Sequence, residues 1–278
     1  MRHHGRVNPM DAEDPVAVPL IGDGVTAGIV RIGGTVRRPE RPFSPTIRAY
    51  LRHLREAGFE DAPVPLGVDD QGREVLSFVP GEVPREPLPE ASAADEVLVS
   101  LAELMRRLEV AATGWIPPED AIWGQLPGPP RRLPDDWQFV GHCDYCPGNV
   151  VFRDGLPAAL IDFDLAKPTT RLAEVANALY WWAPLLDPLD RAPAFVDLDI
   201  ADRVGIFADA YGLDADERQA LVPLLRLRAK RSHEWARGAA EADPLFRAFW
   251  DNGIKDRMPR AEAWIEREAA AIAARLLA

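Results

Sequence analysis

The chain has 278 residues, 47% hydrophobic and 27% charged, with a formal net charge of −12. Such a composition fits a soluble globular protein with room for one large domain or two smaller ones, and it argues against nucleic acid or an anionic membrane as a partner. No apolar run reaches the ~18 residues of a membrane helix, segment 1–15 lacks an apolar signal core, and two cysteines make no disulfide scaffold; the expected setting is the cytoplasm, with both thiols reduced.

Residues 1–14 read as a loose tail. Val25 to Arg38 alternates and carries Gly33-Gly34, a two-residue hairpin signal. Ile47, Leu51 and Leu54 recur at helical spacing, with Gly58 suited to a C-terminal cap. Val64–Val68 and Glu74–Val79 read as a strand pair, and Pro80-Gly81 breaks the sheet. Pro84 to Pro89 reads as a linker. Val97, Leu98, Leu101, Leu104, Met105 and Leu108 then form one apolar stripe of a helix.

Trp115 to Asp136, rich in Pro and Trp, reads as an ordered loop. Short strands are expected at Val150–Phe152 and Ala158–Ile161, around Asp154-Gly155. Leu172, Val175 and Leu179 mark another helix. Later helices are expected over Ala201–Tyr211, Glu217–Gly238 and Pro259–Leu277, with Pro259 in a first turn. The order gives an α+β chain: a sheet-rich unit over residues 15–82, a linker at 83–90 and a larger, mainly helical unit over 91–278. Ligands often bind between two such units.

The chemistry concentrates in His142-Cys143-Asp144-Tyr145-Cys146-Pro147-Gly148-Asn149, followed by Ile161-Asp162-Phe163-Asp164. Phosphoryl transfer asks for an aligned nucleophile and for cations that offset charge on the phosphate oxygens. Asp144 can accept or orient a hydroxyl proton. Asn149 and Asp162 offer hard oxygens to Mg²⁺, and Asp164 can reach a second metal or a bound water. His142 reads as an anchor of the loop through hydrogen bonds.

These residues resemble the catalytic loop and metal motif of the aminoglycoside phosphotransferase-like family, which has the bilobal protein-kinase-like fold. The pattern is His142-x-Asp144-x-x-x-x-Asn149 with Ile161-Asp162-Phe163, supported by Arg171-Leu172-Ala173-Glu174-Val175-Ala176 and Ala208-Asp209-Ala210-Tyr211-Gly212. The resemblance implies a small antiparallel-sheet N-lobe and a mainly helical C-lobe. It implies Asp144 as catalytic base, with His142 beside it, and Asn149 and Asp162 as metal ligands. ATP or GTP would lie between the lobes, its base near Leu76, Phe78 and Val79, with the Gly22–Gly28 loop, Gly24 included, over the phosphates. The activity implied is a Mg²⁺-dependent kinase acting on a hydroxyl of a small molecule, an antibiotic or a metabolite. The acidity of the chain suits a cationic substrate, and a monomer is expected.

The sequence departs from that pattern in three places. The strand Thr35-Val36-Arg37-Arg38 has no phosphate-binding lysine. Strand alternation favours Arg38 as its replacement, whereas Pro39 resembles family members that use the arginine at Arg37. The helix after it has no mid-helix glutamate, and Cys143 stands where a glycine is common. Cys143-x-x-Cys146 lacks the further ligands of a zinc site and any thioredoxin-like context. Trp181 and Trp182 place one ring in the core. Glu234, Glu241, Asp243, Asp251 and Asp256 fit an amine-bearing substrate and solvated helix faces equally well.

Two other readings compete. Ala159 to Asp164 also resembles the strand-then-Asp-x-Asp opening of haloacid-dehalogenase-like phosphatases, with Asp162 as nucleophile. A catalytically weak nucleotide-binding protein would fit the missing lysine.

Overall fold

The structure, a computed structural model, describes residues 16–20, 28–130 and 132–278. The first half is a five-stranded antiparallel sheet. Its strands are β1 (Ala17–Pro19), β2 (Val30–Ile32), β3 (Thr35–Pro39), β4 (Pro65–Val68) and β5 (Arg73–Ser77), in the order β1-β2-β3-β5-β4. The expected hairpin turns at Gly33-Gly34 between β2 and β3. β3 pairs with β5 so that Arg38 stands opposite Glu74. Helix α1 (Ser44–Glu56) follows, with Pro45 in its first turn and Ile47, Tyr50, Leu51 and Leu54 buried. Gly58, at φ +89°, ends it. The Gly58 and Phe59 N–H groups return to the carbonyls of Arg55 and Leu54 at 3.1 and 2.8 Å, so the terminal carbonyls are satisfied.

The chain leaves the sheet at Ser77 and crosses to the second half with only a short 3-10 turn, Glu90–Ala93, before the next helix. Glu82 and Phe152 exchange backbone hydrogen bonds of 2.9 and 2.7 Å, which ties this crossing to the helical half. Helix α2 (Asp95–Ala112) buries all six residues of the predicted stripe. The described residues between 115 and 136 form neither helix nor strand, as their composition suggested.

Two two-stranded sheets follow from β6 (Phe139–Gly141), β7 (Val150–Arg153), β8 (Leu156–Leu160) and β9 (Lys167–Thr169): β7 and β8 form a short hairpin, and β6 pairs with β9 on either side of it in sequence. Helices α3 (Arg171–Trp182), α4 (Ile200–Tyr211), α5 (Ala215–Ala242), α6 (Pro244–Phe249) and α7 (Lys255–Leu276) complete the fold. One contiguous core runs from α1 through α2 into α3, α4, α5 and α7. The result is the expected α+β chain with a small antiparallel-sheet half and a larger, mainly helical half. No helix among the described residues is long and apolar enough to cross a membrane.

The late helix boundaries differ from the sequence reading, most at α5, which runs four residues further to Ala242, and at the starts of α5 and α7. α5 opens two residues earlier, because Asp214 and Glu217 form a reciprocal capping box. Pro259 is not in the first turn: α7 begins at Lys255, after a kink where Gly253 takes φ +119°. The proline therefore removes one interior hydrogen bond instead of filling an orphan position.

The two halves also meet through Tyr50, whose hydroxyl donates to the Val140 carbonyl. The register partner of Val140 is Pro168, which has no N–H to give. Tyr50→Phe leaves that buried carbonyl without this donor and should cost about 1–3 kcal/mol, read as a lower urea midpoint with an unchanged m-value.

Candidate active site

The loop after β6 is held mainly by α3. The Glu174 carboxylate, 1% exposed, accepts from the Cys143 N–H at 3.1 Å and from the Tyr145 hydroxyl at 2.8 Å. Asn177 accepts from the Tyr145 N–H at 2.9 Å and donates to the Cys143 carbonyl at 3.0 Å. The Trp182 indole donates to the Tyr145 carbonyl at 2.7 Å. Three side chains of one helix thus fix the backbone on both sides of Asp144. Cys143 needs that support, because its φ is +63°. A residue with a Cβ pays roughly 1 kcal/mol or more in this conformation, which explains a glycine preference there.

His142 joins the loop to the following hairpin. Its ring is fully buried, with Nε2 2.9 Å from the Ile161 carbonyl and Nδ1 accepting from the Asp144 N–H at 3.3 Å. Burial pushes its pKa down to about 4. The ring is therefore neutral, and its one N–H is committed to Ile161. Asn149 reaches the same strand through the Ile161 N–H, which donates to its carbonyl at 2.9 Å. These bonds carry Asp162 towards Asp144 and Asn149, although it lies 18 residues beyond Asp144.

Asp144, Asn149 and Asp162 are brought together in this way. Asn149 Nδ2 donates to the Asp144 carboxylate at 2.9 Å and to its carbonyl at 3.1 Å. Cys146 also donates to the Asp144 carboxylate. Burial, and then the charge of Asp162, still push the Asp144 carboxyl up to about 6. Asp162 itself takes φ +59°, and its side chain is 44% exposed towards the cleft. Asp164, one residue past Phe163, is also pushed up to about 6, by burial and by Asp162, against the opposing charge of Arg38.

The choice between the two strand arginines is visible. Arg38 enters the acidic cluster: Nε is 2.6 Å from Glu74, Nη2 2.6 Å from Asp164 and Nη1 3.4 Å from Asp162. Arg37 faces away, bonded to the Thr35 hydroxyl and 3.4 Å from Asp69. The acid that supports Arg38 comes from β5 and not from a helix. Glu74 is 0% exposed and also lies 3.5 Å from Arg48 of α1. Glu74 thus sits between a strand arginine, Arg38 of β3, and a helix arginine, Arg48 of α1. The chain's lysines are Lys167, Lys230 and Lys255, so none lies in the sheet.

Leu76 is buried on β5. Phe78 donates its N–H to Gly34 at 2.8 Å and carries Arg31 over its ring at 3.7 Å; Val79 is next along the crossing. Gly24 lies outside the described residues. Neither cysteine forms a disulfide among the described residues. Burial pushes the Cys143 thiol well above its ordinary range, which disfavours the thiolate. Trp182 is the core ring, and Trp181 is half-buried. Glu234, Glu241, Asp251 and Asp256 are exposed, and Asp243 caps α6. The strand-then-Asp-x-Asp reading fails: β8 pairs antiparallel with β7, and no strands pair in parallel among the described residues.

Sequence reasoning missed Asn177, Glu74 and Gly124. A Cβ on Gly124 would sit 1.8 Å from the Asp164 carbonyl oxygen, so the loop that follows α2 passes directly against the Asp162–Asp164 turn.

No group of three or more His, Cys, Asp or Glu residues forms a metal cage among the described residues. A nucleotide-bound Mg²⁺ does not need one, since it takes one or two protein oxygens and completes its shell with phosphate and water. The donor types of Asn149 and Asp162 fit that demand. The carboxyls of Asp144 and Asp164 are raised first by burial and then by the charge of Asp162, and a cation beside Asp162 would relieve that second part.

Residues 121–203 match the phosphotransferase enzyme family. Over 252 residues, 83% of this chain and 90% of its relative, the chain is 34% identical to the trifolitoxin immunity protein of Rhizobium leguminosarum bv. trifolii. The chain belongs to the phosphotransferase enzyme family. Its fold is similar to that of a choline/ethanolamine kinase family protein of Mesorhizobium loti, at a TM-score of 0.58 and 16% identity over 90% of this chain and 88% of that one. It is also similar to an amicoumacin kinase in complex with AMP-PNP, Ca²⁺ and Ami, at 0.57 and 14% identity over 93% and 88%.

Asp144 and Asp164 make stability depend on pH. Their folded pKa values, about 6, exceed the ordinary 3.8, so the native state holds more protons between these values. Stability from these groups is therefore present at acid pH and is lost as pH rises through about 6. Asp144→Asn removes its share, on the order of 1–3 kcal/mol. Thermal denaturation should show the variant several degrees above the parent at pH 7.5 and level with it near pH 4.

Proposed function

We propose that the protein transfers the terminal phosphoryl group of ATP or GTP to a hydroxyl of a small molecule, with Mg²⁺ as cofactor. The observation that carries this reading is the meeting of Asp144, Asn149, Asp162 and Arg38 in one cleft. The nucleotide would lie between residues 15–82 and 91–278, joined by 83–90. The amicoumacin kinase above was solved with AMP-PNP, and an aminoglycoside phosphotransferase of similar fold, TM-score 0.52, was solved with ADP. These likenesses support a nucleotide donor. The name of the trifolitoxin immunity protein supports an antibiotic as acceptor, and a small metabolite is the other class.

Each residue then has a distinct task. Asp144 orients the acceptor hydroxyl and takes its proton. A pKa of about 6 keeps the carboxylate ionised at neutral pH while leaving it more basic than an ordinary aspartate. Asn149 holds that carboxylate with Nδ2, leaving its side-chain oxygen for the metal. Asn149 and Asp162 would hold Mg²⁺, which supplies charge neutralisation on the phosphates. Arg38 serves as the phosphate cation: guanidinium pairs well with phosphate, and its charge persists at any working pH. His142 is a positioning residue, and Glu174, Asn177 and Trp182 keep the loop in register.

The decisive assay is phosphate transfer from Mg-ATP or Mg-GTP to a panel of hydroxylated antibiotics and metabolites. A phosphorylated product is expected, and nucleotide binding with no transfer across the panel would overturn the reading. Asp144→Ala should lower kcat by about 10²- to 10⁴-fold with nucleotide affinity unchanged. Asp162→Ala should instead weaken the Mg²⁺-dependent part of nucleotide binding, measured by titration with and without the metal.

A further inference from the structure

One turn past Asn177, α3 presents Tyr180 and Trp181 to a cavity of about 420 Å³. Its other walls include Phe195, Glu86 from the crossing segment and Arg257 from α7. Along an α-helix, Tyr180 and Trp181 lie about 4.5–6 Å beyond Asn177. Asn177 itself holds the backbone beside Asp144. The cavity therefore opens off the same structural rod that sets the reactive carboxylate.

The charges in its wall are unequally committed. Asp190 is held by Arg260 through two bonds, of 2.6 and 2.8 Å. Arg191 gives its Nε to the Leu186 carbonyl at 3.0 Å and lies 4.9 Å over the Trp264 ring. Glu86 is exposed at the rim, free to stay solvated. Arg257 differs from all of these. It makes no ion pair with a described residue, and its Nε is buried without a hydrogen-bond partner. Its charge is close enough to Tyr180 to oppose the rise that burial imposes on that phenol. A buried guanidinium donor left unpaired is unfavourable, and it marks a place where an acceptor atom is missing.

We propose that the acceptor occupies this cavity and carries a carboxylate that pairs with Arg257, its apolar body lying against Tyr180, Trp181 and Phe195. The arrangement suits a planar carboxylate, because guanidinium offers paired N–H groups in a fork of matching geometry. The formal net charge of −12 suits a cationic partner; the uncommitted charge inside the cavity has the opposite sign. Calling the bound molecule an acceptor rests on the phosphotransferase reading above, whereas the binding preference does not depend on turnover.

The test uses a matched pair, N-benzoyl-L-serine and N-benzoyl-L-serinamide, which share an aromatic body and a primary hydroxyl and differ in the carboxylate. Binding is followed by tryptophan fluorescence on the full chain, with Trp181→Phe to assign the signal. The acid should bind at least tenfold more tightly than the amide. Arg257→Gln should abolish that preference, Arg257→Lys should retain part of it, and neither should change nucleotide affinity. Equal binding of the pair, a preference that survives Arg257→Gln, or binding of neither compound would overturn the proposal. If the preference holds but no phosphate is transferred to any hydroxyl compound, the kinase reading fails and the carboxylate site stands.

Discussion

Arg38 is the charge around which the halves of this molecule are assembled. It leaves the sheet at the one register position that faces Glu74 and reaches Asp162 and Asp164 on the far side of the cleft. Burial works against its charge, yet Asp164, Glu74 and Asp162 together outweigh that penalty and hold the guanidinium firmly protonated. The same contacts offset part of the repulsion among the carboxylates. Arg38 and Asp162 thus keep each other in place. A nucleotide and its metal would have to divide this ion pair between them, the phosphates taking the arginine and the metal the aspartate.

Arg38 has a carboxylate partner although the helix that follows its strand carries no mid-helix glutamate. Glu74 stands directly across the strand pair, so the acid is delivered by sheet register. Its second neighbour, Arg48, is on the helix that would otherwise carry the acid. A lysine could not serve all three carboxylates in this way, because a point charge on a flexible stem lacks the planar fork of donors.

Much of this was legible from residue spacing. The stripe from Val97 to Leu108, the Gly33-Gly34 hairpin and the cap at Gly58 follow from local rules that tertiary packing did not override. The convergence of Asp144, Asn149 and Asp162 was legible because a short hairpin can bring them together only in one sense. Whether Arg37 or Arg38 enters the cleft was not, since alternation and the following proline pointed to different residues, and the contact with Glu74 across β5 decides it. Asn177 gave no signal, because an amide within a helix looks like any solvated position until the loop it holds is known. Gly124 was hidden likewise, its requirement set by the Asp164 backbone, 40 positions away. The first turn of α7 was misplaced because a proline can open a helix or interrupt one, and only the kink at Gly253 tells them apart.

Helix α3 makes two sets of contacts: Glu174, Asn177 and Trp182 grip the loop, and Tyr180 and Trp181 line the cavity. Rotating or sliding this rod would shift the backbone on both sides of Asp144 and one wall of the cavity at the same moment. The facing walls, with Glu86, Phe195 and Arg257, belong to other elements, so the outline of the cavity can change there without passing through the side chains that hold the loop.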